Sequence, residues 1–103
     1  MTTKVKSVYQ DLNYANADEM LIKARLVTEI AEQLKRRRLT QIEASELLGF
    51  SQPKLSTLLR GQFRGVSEKK LMECLTKLGQ DIEIIVRPAP RSRREGKISI
   101  AVS

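Results

Sequence analysis

Residues 39–61 read LTQIEASELLGFSQPKLSTLLRG, and this segment carries the clearest structural pattern in the chain. Thr40 followed three residues later by Glu43 is a capping box, which predicts that a short helix begins here. Gly49 is the residue type that most often ends a helix in the left-handed conformation, and Ser51 is placed to cap a second helix. Two short capped helices joined at a glycine predict a helix-turn-helix motif.

The spacing within this segment makes the prediction specific. Ser45 is small enough for the second helix to cross close to it, and Gly49 can adopt the positive φ of the turn. The apolar side chains of Phe50, Leu55 and Leu58 are predicted to bury the two helices against their neighbours. The outward side of the second helix then carries amide, hydroxyl and guanidinium groups, which suit the edges of bases in the DNA major groove.

Helical periodicity continues on both sides of this segment. Upstream, a helix is predicted to begin at Asn16 or Asp18 and to end in a basic run at residues 35–38. Downstream, another helix is predicted between Ser67, its N-cap, and Gly79. The earliest residues show no sustained period and are predicted to form an arm that packs against the body.

The C-terminal part of the chain changes to an alternating pattern, which predicts strands over residues 82–87 and 98–102. The connection over residues 88–96 is long for a hairpin, so the pattern leaves open whether the two strands pair within one chain. A lone two-stranded ribbon is marginally stable, and natural proteins seldom leave strand edges free. Pairing with the same strands of a second chain is therefore the predicted arrangement. The alternative is that these segments fold only when a partner protein binds them.

Basic charge is concentrated in two parts of the chain. The 103 residues include 19 Lys and Arg against 12 Asp and Glu, a net charge of +7. Residues 35–70 carry a net charge of +6 and residues 87–103 of +4, whereas residues 1–34 and 71–86 are weakly acidic. A concentration of this size favours a polyanionic partner, although charge alone does not distinguish DNA, RNA and a membrane surface. With aromatic residues at only 4%, few side chains could stack on RNA bases.

The composition excludes most catalytic chemistry. There is no histidine, which rules out a Ser-His-Asp triad, a Cys-His pair and histidine-bound zinc. The single cysteine, Cys74, cannot form an internal disulfide or a thiolate cage, and its apolar neighbours predict a buried side chain. No apolar run approaches the roughly 18 residues of a membrane span, and no signal-peptide block is present. The sequence therefore predicts a cytoplasmic, non-enzymatic protein with no cofactor, metal or membrane partner.

Residues 39–52 closely resemble the XRE (Cro/CI-type) helix-turn-helix family. The wider pattern, with QPKLS at 52–56, LRG at 59–61 and LGQDIE at 78–83, is similar to the HigA-type antitoxin branch of that family. The resemblance covers roughly residues 8–90 and implies a mainly α, lambda-repressor-like bundle, here with a C-terminal β extension. It also implies a homodimer that binds a palindromic operator in double-stranded DNA and represses its own operon. Free-standing XRE regulators share this layout, so the existence of a toxin partner stays open.

The resemblance further implies a set of DNA-binding residues. Gln41 would bind a phosphate and brace Gln52 at the start of the recognition helix, whose following residues would face bases or phosphates, with two arginines near the DNA backbone. The set comprises Gln41, Gln52, Pro53, Lys54, Ser56, Thr57, Arg60 and Arg64. The chain departs from the family in two places: Ser45 replaces the commoner alanine, and β-like segments replace the usual fifth helix. The second departure leaves the mode of dimerisation open.

These patterns divide the chain into an N-terminal arm (1–17), a helix-turn-helix DNA-binding domain (18–79) and a C-terminal β segment for dimerisation (80–103). The leading interpretation is a sequence-specific repressor that is also a type II antitoxin. One alternative is a free-standing XRE-type regulator without a toxin, and another is an interaction module whose main task is to neutralise a toxin. A small ribonuclease-like protein encoded beside this chain would favour the antitoxin interpretation.

Overall fold

A computed structural model describes residues 8–103, with side chains described from Asp18 onward. The chain forms four helices: α1 (Val8–Arg37), α2 (Gln41–Leu48), α3 (Gln52–Leu59) and α4 (Glu68–Lys77). The long α1 packs mainly against α4 and also against α3, while α2 packs against α3 and α4. The mainly helical architecture predicted from the sequence is therefore confirmed. Over residues 8–103, no helix has both the length and the apolar character that crossing a membrane requires.

The first helix begins earlier than the sequence pattern predicts. It starts at Val8 rather than at Asn16 or Asp18, so the second part of the predicted arm belongs to α1. Residues 8–17 contain no proline or glycine, and nothing in them therefore ends a helix. Apolar periodicity does not predict the helix over residues 8–17, because the pattern shows only which side of a helix packs against other elements. A backbone can be helical without such a pattern. The remainder of the predicted arm, residues 1–7, lies outside the described residues.

The helix α1 ends at a residue in an unfavourable backbone conformation. Arg38 has φ +56°, in the left-handed region that glycine usually occupies at this position. The amide of Arg38 donates to the Lys35 carbonyl at 3.1 Å, and the amide of Leu39 donates to the Leu34 carbonyl at 3.2 Å. These two bonds satisfy carbonyl groups of the last turn and direct the chain into α2.

A single apolar core lies between the four helices, as the helical periodicity of the sequence predicts. The completely buried residues include Leu55 and Leu58 of α3, both predicted to be buried. The side chains of Leu21 and Ile42 lie outside this core and are 64% and 54% exposed. The buried apolar residues are Leu26, Val27, Ile30, Leu34, Ala44, Leu48, Leu55, Leu58, Phe63, Val66, Leu71, Cys74, Leu75 and Leu78.

The β extension predicted for the C-terminal segment is not supported by the structure of the described residues. Residues 80–103 form no strand within the described chain, and neither 82–87 nor 98–102 pairs with the other. Ile98 is 78% exposed, although Ile100 packs against the helical core. The physical reason is that a strand requires a neighbouring backbone for its N–H and C=O groups, and β-branched residues supply a preference but no neighbour.

Candidate nucleic-acid interface

The capping box predicted at the start of α2 is present. The amide of Glu43 donates to Thr40 Oγ1 at 3.1 Å, and the amide of Thr40 donates to Glu43 Oε1 at 2.9 Å. At the other end of α2, Gly49 has φ +78°, and its amide donates to the Ser45 carbonyl at 2.9 Å. Ser45 is buried, and its hydroxyl donates to the Ile42 carbonyl at 2.8 Å. The turn is therefore built as its spacing predicts.

The beginning of α3 is fixed by its own cap. The amide of Lys54 donates to Ser51 Oγ at 3.2 Å, and Pro53 lies in the first turn, where its missing N–H is no loss. Because Leu55 and Leu58 fill the core on one side, the opposite side of α3 faces solvent. This arrangement presents a short, rigidly docked helix with a polar outer side.

Most members of the expected DNA-binding set lie at the surface around α3. Two side chains, Ser56 and Thr57, are only partly exposed. Thr57 Oγ1 donates to the Pro53 carbonyl at 2.8 Å, so its hydroxyl proton is used within α3 and the oxygen remains available as an acceptor. The exposed members are Gln41, Gln52, Pro53, Lys54, Arg60 and Arg64.

The members of the set come from three places in the fold. Gln41 is the first residue of α2, and Gln52 the first of α3. Arg60 is the C-cap of α3, and Arg64 lies in the loop that leads to α4. Within the described chain, no hydrogen bond joins the side chains of Gln41 and Gln52, so the bracing of one by the other stays a prediction for the DNA-bound protein.

A lysine of α4 stabilises the turn between α2 and α3. Lys70 Nζ donates to the Leu48 carbonyl at 3.2 Å, one of the carbonyl groups left free at the end of α2. The same Nζ lies 5.0 Å from the centroid of the Phe50 ring, within cation–π range. This role of Lys70 was not predicted from the sequence, since only the fold brings a residue of α4 to the end of α2.

A buried lysine of α1 fixes the loop that carries Arg64. Lys23 is 5% exposed, and its Nζ donates to the Arg64 carbonyl at 2.8 Å. The carboxylate of Glu19 lies 4.0 Å from the same Nζ and partly balances its charge. Lys23 was not predicted to have this role, although it lies at helical spacing from the buried Leu26, Val27 and Ile30. A lysine within an apolar stripe was the signal that could have found it.

Two further α1 side chains hold the end of α4 and the residues after it. Arg37 Nη2 donates to the Leu78 carbonyl at 2.9 Å, which satisfies a carbonyl at the end of α4. Gln33, 7% exposed, accepts from Gln80 Nε2 at 3.2 Å and donates to Glu29 at 2.8 Å. The C-terminal segment therefore begins from a point fixed on the helical body.

The buried cysteine is an inert core residue. Cys74 is 1% exposed, as its apolar neighbours predict. Burial raises the pKa of its thiol, and the positive charges of Lys70 and Lys77 only partly oppose that increase. Because the thiolate is the reactive form, a raised pKa lowers the reactivity of Cys74.

These features define the class of the protein. Two capped helices meet at a left-handed glycine, the second presents a polar outer side, and exposed cationic groups surround it. A recognition helix in the major groove, with cations at the flanking phosphates, requires this arrangement. The fold and the site are those of a DNA-binding helix-turn-helix domain.

Comparisons with known proteins agree with this class. The helix-turn-helix domain family matches residues 8–87. A solved structure described as an XRE family transcriptional regulator has a TM-score of 0.78 and 39% sequence identity, over 84% of this chain and 98% of that one. No protein of curated function matches the chain. The chain belongs to the helix-turn-helix domain family and to the XRE family of transcriptional regulators, and it is a DNA-binding transcription regulator.

Proposed function

We propose that this protein is a cytoplasmic repressor that binds a palindromic operator as a homodimer, with α3 in the major groove. The observation that carries the proposal is the exposed polar side of α3, whose direction is set by the Ser51 cap and by the buried Leu55 and Leu58. A helix held in this way can bring side chains to base edges without first becoming ordered.

Each member of the proposed DNA-binding set has a role that follows from its position. Gln52 is exposed at the first position of α3, where its amide can form a bidentate pair with adenine. Lys54, Arg60 and Arg64 are exposed cations suited to phosphates. Gln41 is at the N-terminus of α2, where the helix dipole also favours a phosphate. Pro53, Ser56 and Thr57 supply apolar and hydroxyl contacts along the same side.

The base-reading role of Gln52 is tested with DNA from upstream of the protein's own gene. Gln52→Ala should reduce the preference for this DNA over unrelated duplex, since a bidentate pair contributes about 1–3 kcal/mol of discrimination. The measurement is a competition titration followed by fluorescence anisotropy. Thr76→Ala, at an exposed polar residue of α4 outside the proposed set, is the matched control. Unchanged discrimination in Gln52→Ala would show that Gln52 does not read bases.

We further propose that the repressor is a type II antitoxin that regulates its own operon. Support comes from the pattern over residues 52–61 and 78–83, which is similar to HigA-type antitoxins. A free-standing regulator without a toxin is the second candidate, and a module that mainly neutralises a toxin is the third. The test is co-expression with the protein encoded next to this chain. Relief of that neighbour's growth inhibition supports the antitoxin, and a harmless neighbour supports the free-standing regulator.

A further inference from the structure

The segment that follows Gln80 has exposed apolar side chains and unpaired backbone groups. Residues 81–87 read DIEIIVR, and Ile84, Ile85 and Val86 are 81%, 68% and 91% exposed. None of these seven residues makes a backbone hydrogen bond to another residue of the described chain. Such a segment is a template for strand addition, because its β-branched side chains favour a strand and its unpaired backbone groups can bond to a second one.

The order of charges in this segment makes it complementary to itself. Asp81 and Glu83 lie at the N-terminal side, and Arg87 closes the C-terminal side. In an antiparallel pair of identical segments, the acidic end of one copy faces the basic end of the other. In a parallel pair, each charge would face its own like charge, which is destabilising.

We propose that residues 81–87 pair antiparallel with the same residues of a second copy of this chain, around a two-fold axis at Ile84. In this register Asp81 faces Arg87, Ile82 faces Val86, and Ile84 faces Ile84 of the second copy. Residues directly opposite each other point to the same face of a sheet. The apolar side chains at positions 82, 84 and 86 of both copies therefore form one continuous face, and both end pairs are of opposite charge.

Neighbouring registers of the same antiparallel pair are less favourable. An axis at Glu83 would place the two Glu83 carboxylates opposite each other. An axis at Ile85 would bring Pro88 into the paired region, where it has no N–H to donate. An axis between two residues is excluded, because it would place neighbouring residues, which point to opposite faces of a strand, directly opposite each other on one face.

The pairing deepens the proposed function, because it rests on the homodimer proposed there and names its interface. The amide of Gln80 donates to the Leu75 carbonyl at 2.9 Å, and its side chain donates to Gln33 at 3.2 Å. The paired strands would therefore begin directly from the end of α4 in both copies. Two helical bodies related by this axis form the isologous dimer that a palindromic operator requires.

The register is tested by oxidative crosslinking of the full chain without DNA, using Glu83→Cys, Ile84→Cys and Ile85→Cys. Only Ile84→Cys should form a disulfide-linked dimer, because identical residues on the axis have Cα atoms about 4.5–5.5 Å apart. Cysteines at 83 or 85 would lie on a diagonal, about 7–8 Å from their copies, which is too far for a disulfide. The parent chain is the control, since its Cys74 is buried.

A charge exchange tests the same register without cysteine. Asp81→Arg and Arg87→Asp should each raise the dimer dissociation constant in sedimentation, by about two- to fivefold, because each places like charges opposite each other. The double variant should restore the parent value. Circular dichroism serves as the folding control, as both positions are exposed and lie outside the helices.

Several outcomes would overturn the proposal. Preferential crosslinking at 83 or 85 would show a different register, and a dimer without crosslinks at any of the three positions would place the interface elsewhere. A chain that sediments as a monomer at the crosslinking concentration would show that this segment awaits a different partner. Because DNA is absent from these measurements, a failure of operator binding leaves their result unchanged.

Discussion

Lys23 is a buried cation that binds the backbone of the loop before α4. Its ammonium group donates to the Arg64 carbonyl at 2.8 Å, across 41 residues of sequence. Burying an ammonium group is unfavourable unless it is paired, so this lysine lowers the stability of the fold unless the bond is made. The bond holds the loop in place while the Arg64 side chain stays exposed. Lys23 is therefore a positioning residue for Arg64.

Lys23→Met is expected to weaken DNA binding by about two- to tenfold, the equivalent of one hydrogen bond. Methionine keeps most of the aliphatic volume but leaves the Arg64 carbonyl unpaired and the loop free to move. Anisotropy titration at constant salt measures the effect, and Lys35→Met, at an exposed lysine of α1, is the control. In a double-mutant cycle, Arg64→Ala should cost less affinity when Lys23 is already methionine. Strictly additive losses would contradict the positioning role.

At the scale of secondary-structure elements, Gly49 forms the left-handed turn between α2 and α3. Gly49→Ala is expected to lower the free energy of unfolding by about 1–2 kcal/mol, because an L-residue at φ +78° brings Cβ close to the following carbonyl oxygen. Gly65→Ala is the matched control, since nothing lies within 4 Å of its added Cβ. Chemical denaturation measures both. Equal stabilities of the two variants would show that the turn does not depend on the left-handed conformation.

The helices were predictable from the sequence where local chemistry determines them. The caps at Thr40, Ser51 and Ser67 and the stop at Gly49 depend on residues at most four positions apart, and the structure confirms each. The start of α1 was not predictable from periodicity, because residues 8–17 lack an apolar pattern while remaining helical. Whether a segment is helical and which of its sides is packed are separate properties. The apolar pattern of a sequence indicates the packed side more clearly than it indicates where a helix begins.

The contacts that orient the site depend on residues far apart in the sequence. Lys70 reaches the Leu48 carbonyl across 22 residues, and Lys23 reaches the Arg64 carbonyl across 41. No spacing rule links such pairs, because their distance is set by how α1 and α4 pack. The residues of the proposed DNA-binding set could be named from the motif in the sequence, whereas the distant residues that hold the turn and the loop in place could not.

At the scale of the whole molecule, the C-terminal segment shows why strand prediction from one chain is incomplete. Alternation over residues 82–86 predicts a strand, yet these residues form no strand in the described chain. A β-strand forms only when its backbone N–H and C=O groups bond to a neighbouring strand, so its formation depends on whether such a strand is present. The same residues that form no strand in one copy are the proposed contact between two copies.

The distribution of charge over the whole molecule leads to a prediction about salt. Each phosphate contact releases counterions, so the affinity for DNA falls with salt at a slope set by the number of contacts. Lys54→Ala is expected to reduce the magnitude of that slope by about one and to weaken binding to all sequences equally. Lys54 is exposed in the first turn of α3, on the side proposed to face DNA.

Lys77→Ala is the matched control for this slope, because it removes the same charge from an exposed lysine in the last turn of α4. The two variants lower the net charge of the chain equally, so any difference between their slopes reports the position of the charge rather than the total. Anisotropy titrations over a series of salt concentrations give both slopes. If Lys54→Ala and Lys77→Ala changed the slope by the same amount, the overall positive field would attract the DNA without a specific phosphate contact at Lys54, and the orientation proposed for α3 would be wrong.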